Sequence, residues 1–116
     1  MIKNTYTLSK IINAAAITTV RYKNKDYAII AGGSEGNTVR KDTITVIYDS
    51  LINNITVYTN TTGLAEARDT IIATTISVDG KDYAVFAGGW VLGTTYSKFI
   101  DIATITGDAS PTKIVS

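Results

Sequence analysis

The chain has 116 residues, a net charge of +1 and a hydrophobic content of 45%, which excludes the charge excess of a disordered tail and the basic surface of a nucleic-acid-binding protein. It contains neither Cys nor His, so disulfides, thiolate nucleophiles, Ser-His-Asp triads and nearly all zinc sites are excluded as well. No run of oxygen ligands has the spacing of a calcium loop, and we therefore expect no metal, no cofactor and no nucleic-acid partner.

Residue usage predicts an all-β domain. Ile, Thr, Val and Tyr dominate the sequence whereas Met and Pro each occur once, and this composition suits half-buried strands better than helices. The longest apolar stretch near the N-terminus, residues 11–20, is interrupted by Asn13 and two threonines and is too short and polar to span a membrane. We expect no membrane partner, and no targeting signal assigns a compartment.

The sequence repeats itself at a spacing of 56 residues. Lys25–Gly33 reads KDYAIIAGG and Lys81–Gly89 reads KDYAVFAGG, and a shift by 56 leaves 15 of 60 overlapping positions identical without a gap. One domain, residues 1–116, therefore consists of two units at about residues 8–60 and 64–116. Repeats near this period indicate stacked units, each of which needs neighbours to bury its apolar surface.

The first unit contains four predicted strands. They cover residues 14–19, 25–31, 43–48 and 54–59. Lys23-Asn24 forms the first turn, since Asn tolerates a positive φ, and Gly32-Gly33 is a structural turn that ends the second strand. The first strand begins with small residues, which we interpret as the crowding of innermost strands around an axis rather than as a ligand site.

The second unit repeats this order. Its predicted strands cover residues 70–78, 81–87, 98–105 and 112–115, so each unit predicts one four-stranded antiparallel sheet. Asp79-Gly80 is the strongest hairpin signal, because both residues of such a turn adopt positive φ, and Gly88-Gly89 ends the second strand. Residues 90–97 are predicted as a loop, the third strand is aligned with residues 43–48, and Pro111 marks the fourth strand as an outer edge.

The connections carry the candidate binding residues, because recognition usually lies in variable loops on a fixed scaffold. The candidate ligand- or partner-binding residues are Glu35, Arg40, Lys41, Trp90, Tyr96 and Arg68. Trp90 could stack on a sugar or anchor a protein partner, or it could pack against a neighbouring sheet. Arg68 lies between the two units, where hydrogen bonds to backbone carbonyls are favoured over ligand contact.

The order of these elements resembles the kelch repeat. The resemblance is carried by Gly32-Gly33, Gly88-Gly89, Tyr48-Asp49 and the run GLAEAR at residues 63–68, followed by DTIIATTISVDGKDYAVFAGG, which is similar to bacterial and phage-associated kelch-like repeats. Two departures are Val57 or a neighbour in place of the Trp common in fourth strands, and Thr104-Ile105 in place of the Tyr-Asp pair.

The resemblance implies four-stranded blades of a β-propeller, in a family of mainly protein- or glycan-binding scaffolds. The copper oxidases of this family need His and Cys ligands, which are missing here.

Two blades cannot close a propeller, which needs four or more. We expect head-to-tail contacts between copies to complete the ring, most simply as a homotrimer with six blades, and less simply as a dimer or tetramer with four or eight. Since two periods make 112 residues, the chain begins and ends at nearly the same point of the unit, as expected for a whole number of blades. The alternatives are an excerpt of a longer propeller and a propeller completed by another polypeptide.

The favoured function is a non-catalytic binding or structural module that assembles with itself and presents its loops to a protein or a glycan. One alternative is a hydrolase or lyase that uses carboxylates and Tyr in the assembled channel, although the first strands offer mainly Ala, Ile and Thr. Another alternative is a structural subunit of a phage or surface assembly. The sequence identifies neither the ligand nor the ring size.

Overall fold

The computed structural model describes residues 12–60, 63–91, 95–105 and 113–115. These residues form strands, turns and irregular connections, and every strand pairing is antiparallel. This confirms the predicted all-β class with antiparallel sheets. Since the described part of the chain has no helix, it has none that could cross a membrane.

The strands build two four-stranded sheets and two short hairpins. The strands are β1 Ala16–Tyr22, β2 Lys25–Ala31, β3 Ser34–Glu35, β4 Thr38–Val39, β5 Thr43–Asp49, β6 Asn54–Asn60, β7 Ile72–Val78, β8 Lys81–Ala87, β9 Trp90–Val91, β10 Thr95–Tyr96, β11 Ile100–Thr104 and β12 Lys113–Val115. The first sheet has the order β1-β2-β5-β6 and the second sheet the order β7-β8-β11-β12. Each sheet is an antiparallel meander of the four strands predicted for its unit, and one of the short hairpins lies in the connection between its second and third strands. The predicted start of the last strand at Pro111 and Thr112 lies outside the described residues.

The two sheets are equivalent with one inserted residue. In the first sheet Ala31 lies opposite Thr43, whereas in the second sheet Ala87 lies opposite Ile100, so the spacing of equivalent positions changes from 56 to 57 after the paired glycines. The gap-free alignment of the third strands is therefore wrong, because the insertion moves every later residue by one position. Ile105, not Thr104, is the equivalent of Tyr48.

The insertion falls in a hairpin that the sequence did not predict. Residues 90–97 are predicted as a loop, but Trp90 pairs with Tyr96 and Val91 with Thr95. In the first unit β3 and β4 pair in the same way, with two residues between them instead of three. The loop prediction is therefore wrong for β9 and β10, while residues 92–94 lie outside the described part.

The first turn of each sheet uses a left-handed backbone conformation. Asp79 and Gly80 have φ of 51° and 77°, as the Asp-Gly signal requires. In the first sheet the positive φ, 56°, falls on Lys23 rather than on the residue chosen for its tolerance, Asn24. The left-handed positions of the β7–β8 turn are thus occupied by Asp and Gly, which tolerate a positive φ, whereas in the β1–β2 turn this position is occupied by the long side chain of Lys23.

The sheets stack face to face, and their joining faces form the core. The buried hydrophobic residues between the sheets are Ala16, Val20, Tyr27, Ile29, Ala31 and Ile47 from the first sheet and Ala84, Phe86, Ala103 and Ile105 from the second side, with Leu64 from the connection. Alternate residues of each strand contribute, because successive side chains of a strand point to opposite faces. The core is therefore shared, and neither sheet buries its joining face alone.

Polar contacts fix how the sheets lie on each other. Thr18 Oγ1 lies 2.6 Å from Thr75 Oγ1, and the Thr75 hydroxyl donates to the carbonyl oxygen of Thr19 at 2.6 Å. The main-chain N–H of Arg21 donates to Asp82 Oδ2 at 2.8 Å. These bonds hold β1 against β7 and β8 and align the two sheets in the same direction.

Candidate functional site

Two hairpins at one end of the molecule hold three of the six residues that the sequence selects as candidates for binding. Because the sheets run in the same direction, the ends of β2 and β8 lie on the same side, and the hairpins β3–β4 and β9–β10 follow these ends. We call the two hairpins together the rim. The rim carries Glu35 on the first hairpin and Trp90 and Tyr96 on the second.

The aromatic half of the rim is a contacting pair. The rings of Trp90 and Tyr96 lie 4.5 Å apart at an angle of 58°, with Trp90 half-buried and Tyr96 exposed. Trp90 is anchored by its backbone, which exchanges two hydrogen bonds with Asp69. The pair offers an aromatic surface with a phenol hydroxyl, a combination suited to stacking and hydrogen bonding.

An ion-pair cluster joins the first hairpin of the rim to the residues that follow it. Arg40 donates to Glu35 at 3.2 Å and to Asp42 at 2.5 Å, and the hydrogen bond to Asp42 raises the pKa of the Arg40 guanidinium further. Lys41 lies beside this cluster and is exposed. The first hairpin therefore presents charge where the second presents aromatic rings.

Arg68 is the one candidate that does not reach the surface. Its side chain and that of Asp101 are fully buried, and the two are 2.9 Å apart. Arg68 Nε donates to the carbonyl of Gly88 at 2.7 Å, and Nη2 donates to that of Phe86 at 3.3 Å. Arg68 therefore bonds backbone carbonyls, which is the role that the sequence favoured. Its selection as a ligand-contacting residue is corrected, because no part of its side chain is exposed.

The paired glycines differ in what surrounds them. All four have positive φ, between 67° and 102°. A Cβ on Gly32 would lie 2.6 Å from the carbonyl oxygen of Arg68 and 2.5 Å from Ile71, because the connection between the sheets covers this turn. A Cβ on Gly88 would meet no atom within 4 Å. Gly88 is therefore open at the position where its equivalent Gly32 is covered, although Gly89 next to it approaches the carbonyl oxygen of Asp69.

Each sheet also has an outer face that points away from the other sheet. The exposed large hydrophobic residues of the second outer face are Ile72, Ile76, Val78, Ile100 and Ile102. Those of the first outer face are Ile17, Tyr48, Ile55 and Val57. Four residues of the second outer face, Ile76, Val78, Tyr83 and Ile102, line an apolar depression of about 290 Å³.

Equivalent positions have opposite exposure on the two sheets. Ala16 is 5% exposed and its equivalent Ile72 is 75% exposed, while Val20 and Ile76 are 3% and 47% exposed. The first sheet is covered at these positions by the second sheet, whereas the second sheet has larger apolar residues at the equivalent positions without a cover. Sequence alone predicts the strands but not which copy is covered.

A cleft at the end opposite the rim was not predicted. It has a volume of about 480 Å³ and lies between the first turns of the two sheets, lined in part by Arg21, Lys23, Lys81 and Asp82. The sequence did contain one indication of this cleft. Lys23 and Asp79 are equivalent turn residues of the two units, so stacking of the units places the charged residues around both turns side by side. The cleft is a product of the stacking.

Among residues 12–60, 63–91, 95–105 and 113–115, no three acidic side chains lie close enough together to hold a metal ion. Comparison of the chain with protein-family models, curated proteins and solved structures finds no match. The kelch resemblance therefore stays a prediction from the residues that carry it.

Proposed function

We propose that this chain is a non-catalytic, kelch-type module whose two sheets are propeller blades, and that copies of it associate head to tail into a closed ring. In this assembly the second outer face of one copy covers the first outer face of the next. The rim then serves as a recognition surface for a protein or a glycan.

The observation that carries this proposal is the unequal cover of equivalent positions. Ile72 and Ile76 are exposed where Ala16 and Val20 are buried, and Gly88 is open where Gly32 is covered. A soluble monomer rarely exposes a contiguous apolar face of this kind. A further sheet packed on the second outer face would bury Ile72 and Ile76, as the second sheet already buries Ala16 and Val20.

The two outer faces differ from each other, which favours a ring over a symmetric pair. A contact between two unlike faces is heterologous, and such contacts close when the rotation per subunit divides the circle. Propellers have typically four to eight blades, so the simplest closed form is a trimer with six sheets, and a dimer or tetramer would give four or eight.

The test is the mass of the protein in solution. Light scattering coupled to gel filtration at micromolar concentration is expected to give a small multiple of the 12.4 kDa chain, with three chains as the favoured number. A monomer mass over the whole concentration range would overturn the proposal, and would favour an excerpt or a ring completed by another polypeptide.

A matched pair of variants separates the outer face from general surface hydrophobicity. Ile76→Asp places a charge on the second outer face, and we expect it to give monomers. Ile52→Asp makes the same change at an exposed residue in the turn between β5 and β6, and we expect it to leave the mass unchanged. Equal effects of the two variants would contradict association through the outer face.

Recognition by the rim is tested separately. The Trp90→Ala and Tyr96→Ala variants are expected to lose binding to an immobilised panel of glycans and proteins while keeping the assembled mass. Retention of every interaction by both variants would contradict the rim as the recognition surface.

A further inference from the structure

The contacts between the two sheets inside the chain supply a template for the contact between copies. This inference rests on the proposed head-to-tail association and adds its atomic register. Up to the paired glycines, equivalent positions of the two sheets differ by 56, so each internal contact has a counterpart one sheet further on.

The threonine contact has a complete counterpart. Inside the chain Thr18 contacts Thr75, and the Thr75 hydroxyl donates to the carbonyl of Thr19. Thr74 is the equivalent of Thr18, and Thr19 is the equivalent of Thr75. Thr19 and Thr74 are both exposed, so the hydroxyls that the template requires are present on the two outer faces.

The aspartate contact also has a complete counterpart. Asp82 accepts the Ser77 hydroxyl on Oδ1 at 2.5 Å and the Arg21 main-chain N–H on Oδ2 at 2.8 Å. Its equivalent Asp26 is held in the same way inside its own sheet, because Arg21 Nη1 donates to Asp26 Oδ1 at 2.6 Å. The remaining oxygen, Oδ2, corresponds to the one with which Asp82 joins the two sheets.

We propose that a second copy docks on the second outer face in the register that the two sheets use inside the chain. Thr74 then contacts Thr19 of the second copy, and the main-chain N–H of Ser77 donates to Asp26 of the second copy. A donor meets an acceptor both at the Thr74–Thr19 contact and at the Ser77–Asp26 hydrogen bond. These two contacts select a single register, whereas contact between apolar faces alone would allow several.

The same register places a large side chain over the apolar depression. Inside the chain Ile105 belongs to one buried cluster with Val20 and Tyr27. The equivalents of Val20 and Tyr27 are Ile76 and Tyr83, which line the depression, and the equivalent of Ile105 is Tyr48. Tyr48 of the second copy therefore covers the depression, which accounts for an exposed tyrosine on the first outer face.

Disulfide trapping tests the register directly, since the natural chain contains no Cys. The variant with Thr19→Cys and Thr74→Cys is expected to form covalent multimers on mild oxidation, visible as multiples of 12.4 kDa on a non-reducing gel. Each single variant is expected to stay at the monomer mass on that gel. An equal mixture of the two singles is expected to give a covalent dimer and nothing larger.

The control uses the internal template. The variant with Thr18→Cys and Thr75→Cys is expected to lose its free thiols without forming multimers, because the two side chains already meet inside one chain. If this control closes and the native chain is oligomeric, but the Thr19 and Thr74 variant gives no multimers, the register is wrong and the proposed function stands. A monomeric native chain would instead overturn the proposed function.

A second measurement does not depend on cysteine geometry. Asp26→Ala is expected to weaken self-association about tenfold or more, as is typical when a hydrogen bond to a charged group is lost. Arg21→Met removes the exposed ion pair with Asp26 but leaves the carboxylate and the Arg21 main-chain N–H in place, and we expect less than about a threefold change. Equal weakening by both variants would overturn the role of Asp26.

Discussion

Arg68 and Asp101 form a buried ion pair at a position where the first sheet is apolar. Asp101 lies opposite Phe86 in the second sheet, and the first-sheet equivalents of Arg68 and Asp101 are Ile12 and Ile44. Ile44 is as well buried as Asp101. The second repeat therefore has an ion pair at two positions where the first repeat has two isoleucines.

This substitution of pairs makes a prediction for stability. Arg68→Ile or Asp101→Ile alone leaves one buried charge without its partner, which typically costs about 3–5 kcal/mol in free energy of unfolding. The double variant removes both charges together and places at these positions the residues of the first repeat, and we expect it to cost at least about 2 kcal/mol less than the sum of the singles. Urea denaturation of the four proteins at pH 7 gives the comparison, and additive costs would contradict it.

The paired glycines give a second residue-scale prediction. Gly32 and Gly88 have nearly the same φ, 67° and 68°, so replacement by Ala costs both about 1–2 kcal/mol for the backbone conformation. Only Gly32→Ala also meets a backbone oxygen at 2.6 Å. In the Ile76→Asp background, where we expect no association, we expect Gly32→Ala to destabilise the chain more than Gly88→Ala.

The check is thermal or urea unfolding of both variants at one protein concentration. In the native background Gly88→Ala has a different expected effect, since a neighbouring copy would cover this turn as the connection covers Gly32. We expect it to weaken self-association there. A Gly88→Ala protein that associates as well as the native chain would argue against cover by a second copy.

At the scale of elements, the inserted residue shows how sequence repeats tolerate change. A one-residue insertion inside a strand would turn its apolar side chains to the opposite face. The third strands absorb the insertion because the extra residue falls between Val91 and Thr95, in the middle of a hairpin. The register of β11 against β8 is therefore regular from Ile100 onward.

This location predicts the outcome of two deletions. Replacing residues 92–94 by Gly-Asn, the two residues between β3 and β4, is expected to change the free energy of unfolding by less than about 0.5 kcal/mol. Removing Lys98 instead shortens the approach to β11 and is expected to destabilise the second sheet by several times that amount. Equal effects in urea denaturation would contradict this explanation of the insertion.

The elements also show what the sequence could and could not predict. The strands of both sheets follow from apolar runs and from the Asp-Gly and Gly-Gly signals, which act locally. The hairpin of Trp90 and Tyr96 was missed because strands of two residues carry no periodic pattern, and the insertion was missed because Ile100 still matches Ile44 in a gap-free alignment. The candidate residues of the rim could be selected as variable positions, but the contact of the two rings requires the hairpin.

At the scale of the molecule, Asp82 links stability to pH because it bonds both sheets. The Ser77 hydroxyl, and then the Arg21 main-chain N–H, lower the pKa of Asp82 below its ordinary value of 3.8. A lowered pKa in the folded state means that the ionised carboxylate stabilises the fold. This contribution is complete above the ordinary pKa and is lost as the pH falls through the lower, folded-state value.

We therefore expect the Asp82→Asn variant to lose less stability than the native chain when the pH is lowered from 5 to 2. The two proteins should differ most at neutral pH and approach each other in acid. Urea denaturation at several pH values in the Ile76→Asp background measures this without a contribution from association. Parallel pH profiles of the two proteins would contradict the role of Asp82.

The pairing of one aromatic and one charged hairpin on the same side has a consequence for affinity. In the proposed ring these hairpins alternate around a circle, so a partner with repeated epitopes meets several identical sites at a high effective concentration. Each individual contact can then be weak and exchange rapidly while the whole complex dissociates slowly. The number of sites that a partner contacts at once, rather than the affinity of a single deep pocket, would then determine which partners stay bound.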